Sequence, residues 1–149
     1  DPHIRGSFHA IKTTTDATNM QYAVIEGVSF GILDGVNSIL KVNDNFEKIF
    51  MVGGGSRSSF WIELLASLLN RNLSVCDQSE YGAALGVARL AMHSDKSIQN
   101  NNIIKEITTS KDYFPSSNKS DILMKRYQIW KDLYSTNKKI ASNLISKSS

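Results

Sequence analysis

Three consecutive glycines running into hydroxyl and guanidinium side chains, Gly53-Gly54-Gly55-Ser56-Arg57-Ser58-Ser59, are the residues of this chain best suited by type and spacing to do chemistry. Without side chains, glycines let backbone amides approach a ligand directly. The apolar run at residues 48–52 leads into them as a short buried strand. Behind them, the spacing of Trp61, Leu64, Leu65, Leu68 and Leu69 predicts a helix, with Ser56, Ser58 or Ser59 available to cap it. A strand, glycine turn and helix in that order aim unpaired amides and the positive end of a helix dipole at one point, which suits an anion such as phosphate. The same glycines would equally serve a tight turn between packed elements, and the motif alone leaves both readings open.

Two nucleotide-binding patterns bear on these residues. Gly53-x-Gly55-x-x-Ser58 approximates the dinucleotide fingerprint Gly-x-Gly-x-x-Gly, with Asp77 at the end of the next strand as the ribose-binding acid. Ser58 in place of the third glycine, and a long helix ahead of the motif, count against it. A Walker A loop is excluded, because no Gly-Lys-Ser/Thr closes the turn. His3, His9 and His93 stand singly, so neither metal-ligand spacing nor a Ser-His-Asp order arises. Cys76 is the only cysteine, which rules out an intramolecular disulfide or a clustered-cysteine zinc site and favours a cytoplasmic compartment. On an inner strand it is expected to behave as a small hydrophobe.

The elements that must position the motif follow from periodicity. Met20, Val24, Val28, Ile32, Val36 and Leu40 form an apolar ladder on a long helix, beside a second row of Ala23, Gly27, Gly31, Gly35 and Ile39. Each interior glycine costs about 1 kcal/mol against alanine, so three at one spacing predict a face that another backbone approaches closely. Residues 5–11 read as a short extended segment. Residues 72–76 read as a second strand, and residues 82–93 as a small-residue helix capped by Ser79. Residues 94–120, rich in Ser, Asn, Asp and Lys around Ile103, Ile104 and Ile107, are expected to be mostly surface loop. From Asp121 to about residue 145 the pairs Ile122/Leu123, Ile129/Trp130, Leu133/Tyr134 and Ile140/Ala141 give an amphipathic helix. Strand–helix alternation of this kind argues for an α/β domain with parallel pairing of the two central strands.

At 149 residues the chain is one domain in size, expected to bury roughly 70% of its unfolded surface. The net charge of +3 comes from a lysine excess in the last helix, read as a solvated face rather than a nucleic-acid groove. Neither a signal peptide nor an apolar run that spans a bilayer is expected.

Four stretches resemble the FGGY-type carbohydrate kinases, within the actin and hexokinase-like (ribonuclease H-like) ATPase superfamily. They are residues 1–8; residues 19–28, similar to the family's second signature helix; Val52 to Trp61, similar to its adenosine-contacting loop; and residues 82–91, closest to the xylulose kinases. Ala10 stands where that signature usually has glycine, and Ser59 where members often have asparagine. The resemblance implies an incomplete α/β domain of the actin/hexokinase-like ATPase type, the C-terminal nucleotide-binding half of a sugar kinase, with residues 1–93 as its core match. It implies ATP contacts at Gly54, Gly55 and Ser59, with Ser56 a neighbour, and ATP with Mg2+ as cofactors. It further implies a sugar substrate such as D-xylulose and an N-terminal sugar-binding domain that carries the catalytic aspartate, so that this chain holds no catalytic residue and is inactive alone. No nucleic-acid or membrane partner is expected, and homodimerisation stays open. Asp34 is expected near a surface or cleft. The alternatives are a dinucleotide-binding domain and a non-catalytic interaction fragment.

Overall fold

The computed structural model describes residues 4–42, 48–77, 79–94 and 107–146. Helix α1 runs Ala17–Leu40, followed by strand β1 (Ile49–Met51), a 3-10 turn (Gly54–Arg57) and helix α2 (Ser59–Leu69). Strand β2 (Leu73–Cys76), a second 3-10 turn (Ser79–Tyr81), helix α3 (Gly82–Ser94), strand β3 (Thr109–Tyr113) and helix α4 (Ser117–Ser146) complete the order.

The sheet order is β1-β2-β3, with β1 and β2 parallel and β3 antiparallel to β2. Ile49 pairs with Leu73 and Met51 with Val75, while Leu73 also pairs with Tyr113. Parallel neighbours require a crossover, and α2 supplies it. This helix lies between two apolar clusters, which explains why apolar residues cover more than one of its faces. Ile62, Leu65 and Ala66 pack with Leu73 and Tyr113 of the sheet, while Leu64 and Leu68 pack with Phe30 and Leu33 of α1 and Leu123 and Tyr127 of α4. Full burial of a side chain such as Ile62 or Leu65 is worth about 1.5–3 kcal/mol. Asn70, in the left-handed conformation at φ 50°, ends α2 by closing onto the Ala66 carbonyl.

Helix α1 starts at a capping box: the Asn19 amide donates to Asp16 Oδ1 at 2.7 Å, and Asn19 Oδ1 accepts from the Asp16 amide at 3.3 Å. Its buried face is Glu26, Ser29, Phe30 and Leu33, not the apolar ladder. Met20, Val24, Val28, Ile32 and Ile39 are 37–54% exposed, and a Cβ added at Gly27, Gly31 or Gly35 would meet nothing within 4 Å. The close backbone approach expected at the glycine row is therefore not made within the described residues. By length and composition α1 also passes as a membrane span, contrary to the sequence expectation. Its buried Glu26, paired to Arg126 of α4 at 3.0 Å, instead marks a face built to pack against protein.

Other differences from expectation have local causes. Residues 5–11 form no strand. The segment expected to be mostly loop contains β3, whose polar residues suit an edge strand exposed on one side, with Tyr113 its buried anchor. Helix α4 begins at Ser117, before the first apolar pair, and Ser120 Oγ donates to the Ser67 carbonyl at 2.6 Å to tie that first turn to α2. Ile103 and Ile104 lie outside the described residues, and Ile107 is exposed. The accessible surface is 11174 Å², against about 7,600 Å² for a compact monomer of this mass, so burial falls short of the expected 70%.

Candidate functional site

The chain leaves β1 through exposed Val52 and turns at Gly53, whose φ of 83° is strained for any residue with a Cβ. The Gly53 amide donates to the Ser79 carbonyl at 2.6 Å. Its own carbonyl accepts from the Ser56 amide at 3.1 Å and from Ser56 Oγ at 2.7 Å. Ser56 Oγ also lies 2.7 Å from Ser79 Oγ, and because its one proton goes to Gly53, Ser79 donates. Ser56 is buried, and its hydroxyl joins the turn after β1 to the turn after β2. Ser79, expected to cap the following helix, serves this joint instead.

The two glycines of the turn have different surroundings. A Cβ at Gly54 would meet nothing within 4 Å, so this residue presents bare backbone outward. A Cβ at Gly55 would lie 2.7 Å from Trp61 Cζ3, so glycine is required there by the protein's own packing. The amides of Gly54 and Gly55 open the 3-10 turn, where N–H groups have no partner within it. Ser58 caps α2, its Oγ accepting the Trp61 amide at 3.3 Å. Ser59 Oγ accepts from Tyr113 Oη at 3.0 Å, tying α2 to β3. Ser59 is exposed at the start of α2, where it stands beside the turn.

Beside the turn a cavity of about 190 Å³ opens at the carboxyl ends of β1 and β2, lined by Val52, Cys76, Asp77, Ser79, Gly82 and Arg89 among others. In α/β sheets that end of parallel strands is where ligands bind. Burial pushes the half-buried Cys76 thiol up, with the Asp77 carboxylate adding to the shift, which disfavours the reactive thiolate. Asp77 accompanies the turn only as a lining residue, and its amide donates to the Thr108 carbonyl. Among the described residues no group of three His, Cys, Asp or Glu side chains could hold a metal ion.

Asp34 is exposed on α1, in line with the surface position expected, and accepts from Tyr127 Oη at 2.9 Å, which ties α1 to α4. Sequence reasoning placed Gly54, Gly55, Ser56 and Ser59 along one turn. It missed the contacts that hold these residues, from Ser79 and Trp61 at the turn and from Tyr113 at Ser59, because each comes from another element or another turn of helix and no spacing rule joins them.

Residues 1–94 match the C-terminal domain of the FGGY family of carbohydrate kinases, and the chain belongs to that family. It is 26% identical to the xylulose kinase of Staphylococcus epidermidis over 97% of its length, spanning 29% of that relative. Among solved structures it superposes on xyloylose kinase from Brucella ovis with a TM-score of 0.78 and 28% identity, covering 92% of this chain and 28% of that one. Gluconate kinase from Lactobacillus acidophilus gives a TM-score of 0.71 at 25% identity, covering 91% of this chain and 28% of that one. The fold is that of part of an actin/hexokinase-like sugar kinase domain, and the dinucleotide-domain reading of the glycines is set aside. The chain spans less than a third of the relatives it matches.

Proposed function

We propose that this chain is the ATP-binding portion of a carbohydrate kinase that transfers the γ-phosphate of ATP to a sugar hydroxyl, with D-xylulose giving D-xylulose 5-phosphate the leading substrate. The observation that carries this reading is the glycine turn after β1, with Gly54 open outward and the turn held from behind by Ser79 and Trp61. Family membership over residues 1–94 supports the kinase class, and the xylulose kinase relatives support the substrate. A gluconate kinase among the structural neighbours keeps the sugar a matter for assay.

In this reading Gly54 and Gly55 offer backbone amides to the nucleotide, and Ser59 contributes a hydroxyl at the start of α2. Ser56 acts one step back, keeping the turn in shape. Mg2+ would be held by phosphate oxygens and by carboxylates outside the described residues, since these supply no cluster for it. Phosphoryl transfer asks mainly for positioning and charge neutralisation, which a preformed turn provides on the nucleotide side. The sugar site and the base that accepts the hydroxyl proton would lie in the remaining part of the kinase, closing over the turn to exclude water. A cytoplasmic location goes with this reading.

The test separates ligand contact from packing. In the complete kinase, Gly54→Val adds a side chain into open space at an ordinary φ, so the protein should melt as the wild type does. ATP affinity should fall about ten-fold to a hundred-fold, the worth of one hydrogen bond to a charged group, about 1.5–3 kcal/mol. Unchanged ATP binding by the folded variant would reduce the turn to a structural corner.

A further inference from the structure

We infer that Trp61 is a positioning residue for the nucleotide turn, setting the height of Gly54-Gly55 from helix α1, an inference that rests on the ATP-binding reading above. Trp61 stands where three elements meet. Its six-membered ring occupies the space a Cβ on Gly55 would need, with three ring carbons 2.7–3.5 Å from that position. On the other side its Nε1–H donates to Ser29 Oγ at 2.9 Å. Ser29 is fully buried on α1, and its own hydroxyl donates to the Ile25 carbonyl at 2.7 Å. One line of contacts therefore runs from the α1 backbone through Ser29 and the indole to the underside of the turn.

The indole is also packed against both apolar clusters of the molecule, so it cannot swing without disturbing α1, α2 and the sheet together. A ring fixed at both ends carries a displacement of α1 to the turn. A ring that had lost its hydrogen bond could tilt and let the turn sink. Because Gly54 and Gly55 are proposed to meet the nucleotide with backbone amides alone, an error in their height costs hydrogen-bond geometry directly. Trp61 touches no substrate in this scheme and acts only through the turn.

The experiment uses the complete kinase with Trp61→Phe, which keeps an aromatic ring but removes the donor, and Ser29→Cys, which fills the same space with a weaker acceptor. Each should raise KM for ATP about three- to ten-fold, while kcat and the KM for the sugar stay within about two-fold. The double variant should be no worse than the more affected single, because both changes break one bond. A general loss of structure would move the sugar KM and kcat as well, and that pattern overturns the inference. So does an ATP KM within two-fold of wild type in both singles. The Gly54→Val variant tells the two failures apart: if it loses ATP while Trp61→Phe does not, only the positioning role falls, and if it binds ATP normally the nucleotide reading falls and takes this role with it.

Discussion

Ala10 shows how a single position can hold information that composition does not. It stands where the signature it resembles usually has glycine, and its φ is 58°, in the left-handed region that costs an alanine about 1–2 kcal/mol. Glycine would remove that strain but adds about 0.5–1 kcal/mol of unfolded-state entropy. The balance predicts that Ala10→Gly stabilises the protein by up to about 1.5 kcal/mol in urea denaturation, and destabilisation would mean the left-handed turn is not what that position needs. Cys76 makes the opposite case. Its type and strand position together predicted an unreactive thiol; the residue is half-buried, and burial with the Asp77 carboxylate raises its pKa. Labelling by a thiol reagent should be at least several-fold slower in native buffer than in denaturant, and equal rates would place the thiol at an open surface. The site itself was only half legible at this scale: the glycines announce a turn, but which of them faces outward depends on Trp61, six residues away on a helix whose rotation no pattern fixes.

Among the elements, α2 was legible because its apolar positions are dense enough that any register buries them. Helix α1 was not. Its ladder from Met20 to Leu40 is the stronger periodic signal, yet the face that packs within this chain carries Glu26 and Ser29. A charged residue on a buried face is invisible to apolar periodicity, and its partner Arg126 lies a hundred residues on. β3 was missed for a related reason, since an edge strand of Thr, Ser, Lys and Asp has no apolar alternation to detect. Burial raises the Glu26 pKa above its ordinary 4.5, with Arg126 and the Tyr22 hydroxyl acting against the rise. An acid whose pKa is raised on folding contributes stability below its unfolded pKa and loses it as pH rises through the folded value. Wild type should therefore lose stability relative to Glu26→Gln as pH climbs through the window just above 4.5, in urea melts between about pH 4 and 7. Parallel pH profiles for the two proteins would show that Glu26 titrates as if unfolded.

For the whole molecule the question is what this chain can do by itself. Its aspartates are committed to structure wherever the described residues show their bonding. Asp16 caps α1, Asp34 accepts from Tyr127, and Asp112 accepts from Ser74 Oγ at 2.6 Å. None of the three is oriented as a base beside the glycine turn, and the chain spans 29% of the xylulose kinase it resembles. The apolar ladder of α1 meanwhile stands open to solvent, and the surface exceeds that of a compact protein of this mass by about half. A face of that kind marks an interaction surface, and in this case the remaining part of the kinase is the proposed cover. Two outcomes are expected together. The isolated chain should bind a hydrophobic dye strongly and show no turnover of ATP with D-xylulose above background, whereas the complete kinase should bind little dye and turn over. Phosphorylation of D-xylulose by the isolated chain, abolished by changing Asp34 or Asp112 to Asn, would mean that the catalytic base lies within this chain after all.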